Sequence, residues 1–599
     1  MRILATTDVH MHITGWDALR DRTVARSGMD VLAHTITAAR AAARGDCVLV
    51  DNGDALQGTP EGNICAQPGV VPDHPWPAIL NALAYDAAGL GNHDFDFGLD
   101  QLEQAMTQAE APVLCASIPD GSVAGVVQEA ILHRRIRCSD GEVRPLALGI
   151  TSVLPPQTEV WNHRHLHGRL HFDTGVVAAR AAVERLRAGG ADLVLVLCHA
   201  GLCAVPDPMG ENFATAMAAE VPGIDAMVLG HTHKLFPAVD HGGDAACDPD
   251  AGTVHGVPAV MPGFAAVRLG VIDLGLHWTA DGWQVAQHSV ALMRPDHDTA
   301  PDATITDLAA PAIAATQRAL SAPLAHTPIG FHSYFEMLQS GTATALIADV
   351  MRSTVRRAVD GTALAALPLV AAVSPMAVGG QSGAGNYVYV PPGKVCERHL
   401  VMLGPYQNAI WAVVLTGAEL WDWAERSAVY FGPTPGALSP LVAASAPSYN
   451  FDALHGLRTV IDPFRPARYD VMGAVIDRGA QRVVALTHEG TPVQPTDRYL
   501  VAMTSYRAAG GGVFPGIDAQ SDVLRTEVDL TQALRRHMLT TPFPDQPAPT
   551  VWRFADGPPR HALVDTAPDA ARHLEEIAPF EPQPMGLTDR GFLRMRVTV

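Results

Sequence analysis

The sequence predicts an α/β protein of two domains, and three observations carry that reading. Five apolar runs, at residues 3–6, 47–50, 87–90, 193–198 and 226–229, each lead into polar side chains. Runs of that length and make-up read as strands buried on both faces, whose carboxyl ends open onto a ligand-binding crevice. Segments 30–44 and 174–188 combine helical spacing with good helix formers, and each precedes one of those runs. A chain of 599 residues also exceeds what a single hydrophobic core serves.

The polar ends follow one another in a fixed pattern. The first run leads to Asp8-Val9-His10, the second to Gly53-Asp54 and the third to Gly91-Asn92-His93-Asp94. The fourth leads to His199 and the fifth to Gly230-His231-Thr232-His233. In a chain with 26 His, one histidine after an apolar run is ordinarily a hydrogen-bonded core or loop residue. One aspartate there is ordinarily a helix N-cap. Repetition of the same context through the first 233 residues argues for a common purpose. Two Asp, one Asn and four His converging on one crevice suit a pair of divalent ions. Oxygen and imidazole donors without thiolates favour Mn, Zn, Fe, Co or Mg. A carboxylate shared between two such ions holds them ~3.5–4 Å apart, the spacing of two-metal phosphoester hydrolysis.

Composition narrows the partners. The chain is 48% hydrophobic and 17% charged, as in an ordinary folded globule. Its 41 Lys and Arg against 62 Asp and Glu give a formal net charge of −21, which argues against polymeric nucleic acid bound on a general basic surface. A small anionic substrate stays compatible, because bound divalent ions supply local positive charge. The 8 Cys form no CxxC pair, and Cys47, Cys115 and Cys198, inside apolar runs, read as buried thiols. No run of 18 apolar residues exists, so no membrane span is expected. Met1-Arg2-Ile3-Leu4 runs directly into the first strand, so the expected location is cytoplasmic as written, and periplasmic if the true start lies upstream.

Four segments are expected along the chain. Residues 1–295 form the motif-bearing domain, and 296–328, polar and Pro-containing and then Ala-rich, form a linker helix. Residues 329–554 form a second domain with strand-like runs at 369–373, 409–415 and 498–503 and Gly-rich stretches at 378–385 and 508–512. Residues 555–599, with Pro at 558, 559, 568, 579, 582 and 584, read as a tail over the surface.

Longer stretches carry a family resemblance. They are Thr6-Thr7-Asp8-Val9-His10, Asp51-Asn52-Gly53-Asp54-Ala55-Leu56-Gln57-Gly58-Thr59-Pro60 and Gly91-Asn92-His93-Asp94-Phe95-Asp96-Phe97-Gly98-Leu99. Gly230-His231-Thr232-His233-Lys234-Leu235-Phe236-Pro237 and Met261-Pro262-Gly263-Phe264 follow. The set resembles the 5′-nucleotidase family of calcineurin-like metallophosphoesterases, and within it the 2′,3′-cyclic-nucleotide 2′-phosphodiesterase/3′-nucleotidases. The resemblance implies an N-terminal metallophosphoesterase β-sandwich flanked by helices, a helical linker and a C-terminal α/β substrate-binding domain. It implies one ion held by Asp8, His10, Asp54 and His233 and a second by Asp54, Asn92, His199 and His231. A metal-bound hydroxide would then attack the phosphoryl group. His93 would donate a hydrogen bond to the phosphoryl group or leaving oxygen, oriented by Asp96, since a catalytic imidazole needs its tautomer fixed. His12 lies outside the pattern and reads as a bystander.

In the second domain, Ser448-Tyr449-Asn450-Phe451-Asp452 and Ser505-Tyr506-Arg507-Ala508-Ala509-Gly510-Gly511-Gly512 resemble the family's base-binding segments. Tyr449 and Tyr506 would sandwich a nucleobase, worth ~1–3 kcal/mol per stack and tolerant of base identity. Phe451 reads as core, and Asn408 as a further nucleoside contact. Two departures bear on substrate orientation: Gln381 stands where 5′-nucleotidases tend to have Arg, and Ser117 where relatives often have Asn. The implied activity is hydrolysis of 2′,3′-cyclic nucleotides to 3′-nucleotides, then to nucleoside and phosphate. A 5′-nucleotidase or nucleotide-sugar hydrolase, and a nucleotide-binding protein without catalysis, are the alternatives.

Overall fold

The structure is a computed structural model that describes residues 1–203, 210–238, 245–280, 282–405, 408–432, 438–443, 446–517 and 523–599. The chain forms two compact units, Met1–Ala319 and Leu320–Val599.

The five apolar runs are strands: β1 (Arg2–Thr6), β2 (Cys47–Asp51), β3 (Ala87–Gly89), β4 (Leu193–Cys198) and β5 (Ala226–Leu229). They are divided between two sheets. β1, β2 and β3 run parallel side by side in a seven-stranded sheet, and β4 and β5 run parallel in an eight-stranded one. Ile3, Ala5, Val48 and Val50 from the first sheet meet Leu193, Leu195, Leu197 and Val228 from the second in a core between the sheets. The alternate residues face outward onto helices. Leu4 and Leu49 pack with Met29, Leu32 and Ile36 of the helix Met29–Ala41. Val194 and Val196 pack with Ala178, Ala182 and Leu186 of the helix Gly175–Ala188. Burial on both faces is why these strands read as continuous apolar runs rather than alternating ones. The predicted crevice is thus lined by three strand ends from one sheet and two from the other.

The helix Ala303–Leu320 occupies the Ala-rich stretch read as a linker, and its Ile305 and Ala309 are buried in the outer core of the first unit. In the second unit the runs read as strands pair in a five-stranded sheet ordered Ala453–His455, Leu369–Val373, Arg498–Thr504, Ala409–Thr416, Val523–Asp529. A capping box between Thr416 and Glu419 starts the helix Gly417–Ala428.

Residues 555–599 depart from the expected tail. His561–Thr566, Gln583–Leu587 and Leu593–Thr598 join Ser439–Pro440 in a four-stranded sheet. Ala562, Val564, Met595 and Val597 alternate into the main core of the unit. The prolines that suggested a tail lie in the connections, except Pro584, which sits on the edge strand, where a missing N–H costs nothing. No helix among the described residues is long and apolar enough to cross a membrane.

Candidate dimetal site

The motif residues leave their strands through unusual backbone. Asp8 (φ 49°), His10 (48°), Asp54 (56°), His231 (68°) and His233 (57°) all lie in the left-handed region. For non-glycine residues this costs on the order of 1 kcal/mol or more each and persists where surrounding structure enforces it. Motif glycines make room for these turns: a Cβ on Gly91 would lie 2.2 Å from Asp54 Oδ1, and one on Gly230 would lie 2.6 Å from Asp8 Oδ2.

Six of the seven expected ligands form two groups, Asp8 with His10 and His233, and Asp54 with His199 and His231, the ligand atoms of each lying within 4.8 Å of one another. Nε2 of His10 and Nε2 of His233 face each other at 3.0 Å, and Asp8 Oδ1 is 3.5 Å from the latter. Asp54 Oδ2 lies 3.0 Å from His199 Nε2 and 3.7 Å from His10 Nε2, within reach of both groups. Asn92, the seventh, places Oδ1 2.9 Å from His231 Nδ1. His12 stays outside, its Nδ1 near Val9 O.

Ring orientation is settled by the opposite nitrogens. His10 Nδ1–H donates to Gln57 O and His199 Nδ1–H to Asn52 O, both at 2.8 Å, which leaves each Nε2 lone pair for a cation. His231 is reversed: Nε2–H donates to Glu211 Oε1 at 2.9 Å, leaving Nδ1. Asp54 Oδ2 and His199 Nε2 are buried without a well-formed hydrogen bond. Burial pushes the Asp54 carboxyl up, but the imidazoles of His199, His10 and His93 outweigh it and hold it well below the carboxylate range. Burial likewise lowers His199, and Asp54 and Asp8 overcome this, raising it to about 10. The site calls for positive charge.

His93 belongs to neither group. Its Nδ1–H donates to Asp96 Oδ2 at 2.9 Å, and its backbone N–H donates to Asp54 Oδ1 at 2.7 Å. Burial lowers this imidazole, but Asp96 and Asp54 outweigh it and raise it to about 9. Nε2 is the nitrogen left to meet a ligand. Ser117 is buried, its hydroxyl bonded to Leu154 O.

The second unit carries a cavity of about 440 Å³ lined by Tyr449, Tyr506, Asn408, Asp452 and Arg507, with Ile347 and Met351 among its apolar walls. Tyr449 and Tyr506 are 45% and 50% exposed, so neither is a core ring, whereas Phe451 is 1% exposed and packs among Phe431 and Trp552 as expected. Arg507 joins the two Tyr-bearing segments: it donates to Tyr449 O and Gly511 O, pairs with Asp452 and lies over Phe514. Gly512 passes so close that a Cβ there would lie 2.2 Å from Arg507 Nη1. Gln381 falls on the 3₁₀ turn Gly380–Ser382.

Comparison with known proteins matches both halves of this description. The calcineurin-like phosphoesterase family matches residues 1–235, and the 5′-nucleotidase C-terminal domain family matches residues 323–519. The chain is 33% identical to the 2′,3′-cyclic-nucleotide 2′-phosphodiesterase/3′-nucleotidase of Salmonella typhimurium over 85% of its own length and 81% of that protein. The chain belongs to the 5′-nucleotidase family of calcineurin-like phosphoesterases. It is also 30% identical, over 93% of its length, to the trifunctional nucleotide phosphoesterase YfkN of Bacillus subtilis, of which it spans 39%. The fold of a 5′-nucleotidase precursor from Thermus thermophilus superposes with a TM-score of 0.56, covering 93% of this chain and 100% of that one at 18% identity.

As a calcineurin-like phosphoesterase, the first unit is a domain that works with divalent metal ions. The orphaned Asp54 Oδ2 and His199 Nε2 and the thiolate-free donor set fit such ions.

Four residues that shape the site were not singled out from the sequence: Asp94, Trp161, Glu211 and Phe264. Asp94 accepts four backbone N–H groups, from Asp54, Ala55, Leu56 and Gly91. It stands inside the Gly-Asn-His-Asp motif, and that adjacency was the available signal. Trp161 stacks on His231 and Phe264 on His233, at ring distances of 5.6 and 4.7 Å. Glu211 had no signal, being 20 residues from the ring it holds. Glu211→Gln is expected to weaken metal binding about 10- to 100-fold by loosening the His231 tautomer. Competition against a chromophoric chelator reads this, with an unchanged thermal unfolding midpoint as the control.

Proposed function

We propose that this protein hydrolyses 2′,3′-cyclic nucleotides to 3′-nucleotides and 3′-nucleotides to nucleoside and phosphate. The observation that carries the reading is the pair of donor groups meeting at Asp54, whose Oδ2 lies 3.0 and 3.7 Å from a histidine of each. The resemblance to the Salmonella typhimurium enzyme supports the choice of substrate. Asp8, His10, Asp54 and His233 hold one divalent ion in this proposal, and Asp54, Asn92, His199 and His231 the other; Mn, Zn, Fe, Co and Mg all suit these donors. When bound, such ions lower the pKa of water and neutralise phosphoryl charge. The chain's own residues do the rest. His93, oriented by Asp96 through its Nδ1, presents Nε2 to donate a hydrogen bond to the phosphoryl or leaving oxygen. Tyr449 and Tyr506 hold the base between their rings, and Asn408 borders the same cavity.

The test is release of phosphate and nucleoside from 2′,3′-cyclic AMP, 3′-AMP and 5′-AMP. Turnover of the first two supports the proposal, and preference for 5′-AMP moves the protein to the 5′-nucleotidase reading. Tyr506→Ala should raise KM about 10- to 100-fold, as loss of one stack worth ~1–3 kcal/mol implies, with kcat little changed. A fall in kcat at unchanged KM would contradict the clamp.

A further inference from the structure

A third group of metal-type donors stands among the described residues, in the second unit: His332, His573 and Glu576. His332 Nε2 and His573 Nδ1 both lie 3.1 Å from the same Glu576 oxygen, Oε1, and the three donor atoms fall within 4.8 Å of one another. Bonds of ~2.0–2.1 Å in a tetrahedron imply ligand–ligand edges of roughly 3.3 Å, close to this spacing.

The donors sit on ordered elements. His332 ends the short strand Phe331–His332, paired with Tyr389–Val390, and its side chain is 7% exposed. Its ring stacks on Tyr334 at 4.4 Å, and its Nδ1 is buried without a hydrogen-bond partner. His573 and Glu576 share one face of a 3₁₀ turn, Glu576 N–H donating to His573 O, and the fully buried Ile577 anchors that turn. The side chains of His573 and Glu576 are 27% and 46% exposed, so water can complete a coordination shell from one side.

We propose that His332, His573 and Glu576 form a divalent-metal site separate from the phosphoesterase centre, taking Zn²⁺ or a similar borderline ion through two imidazole nitrogens and one carboxylate oxygen. Such an ion would staple the Phe331–His332 strand to a turn 244 residues later in the chain. The competing description is a hydrogen-bonded set in which Glu576 accepts an N–H from each ring.

Metal content separates the two. Full-length protein is stripped with a chelator, loaded with Zn²⁺, desalted and assayed for zinc per chain, beside Glu576→Gln and His573→Ala, both at partly exposed positions. The proposal requires each variant to hold one zinc fewer than the parent chain. The same comparison in an Asp54→Ala background, where the first-unit centre is disabled, should again show a difference of one. Equal zinc content in the parent and either folded variant overturns the proposal.

Discussion

Phosphate release should fall at least about 10³-fold in Asp54→Ala, with bound metal lost in parallel. Two contacts vanish together. Oδ2 lies 3.0 and 3.7 Å from a histidine of each donor group, and Oδ1 accepts the His93 N–H at 2.7 Å. The substitution should therefore separate the two groups and free His93, the residue proposed to meet the phosphoryl group. Asp54→Asn keeps the shape and one acceptor oxygen but not the charge, so it should retain His93 placement while still losing metal. Steady-state kinetics and metal analysis on the same preparations check this. Turnover within about tenfold of the parent in Asp54→Ala would show that the two donor groups do not act through a shared carboxylate.

Asp94→Ala should be the most destabilising single change at the site, by at least about 3 kcal/mol. The carboxylate is 1% exposed, and its removal orphans four backbone N–H groups, each worth ~1–3 kcal/mol when left buried and unpaired. Oδ1 serves Ala55 and Leu56, and Oδ2 serves Asp54 and Gly91. Asp94→Asn accordingly loses two of the four bonds and should fall between Asp94→Ala and the parent. In calorimetry the transition of the first unit should move down by roughly 5–10 °C for Asp94→Ala. Metal retention should fall with it, because Asp54 and Gly91 frame the ligand loops. An unchanged transition and full metal content would mean that the four N–H groups find other partners.

Much of the first unit was legible in the sequence. Its parallel strands are buried on both faces, so each appears as an unbroken apolar run, and each run that matters ends in a metal-type donor. A local contact was also legible: Asp96 is three residues from His93, and His93 Nδ1–H donates to its Oδ2. Contacts that cross the fold were not. Glu211 reaches His231 only because two loops meet at the strand ends, and nothing in the spacing of those residues announces it. The C-terminal strands were hidden for a different reason. Prolines at 558, 559, 568, 579, 582 and 584 punctuate 555–599, while the alternation of Ala562 with Val564, and of Leu593, Met595 and Val597, is short enough to pass as chance. Tyr449 and Tyr506 were distinguishable from core only by resemblance, since an exposed ring and a buried ring look alike until packing is known.

The most direct measurement of the central claim is phosphate release from 3′-AMP by chelator-stripped protein as Mn²⁺ is returned. The account predicts a silent stripped enzyme whose activity returns as metal is bound, with no recovery in Asp54→Ala. Full turnover in the stripped protein, or recovery without Asp54, would contradict it.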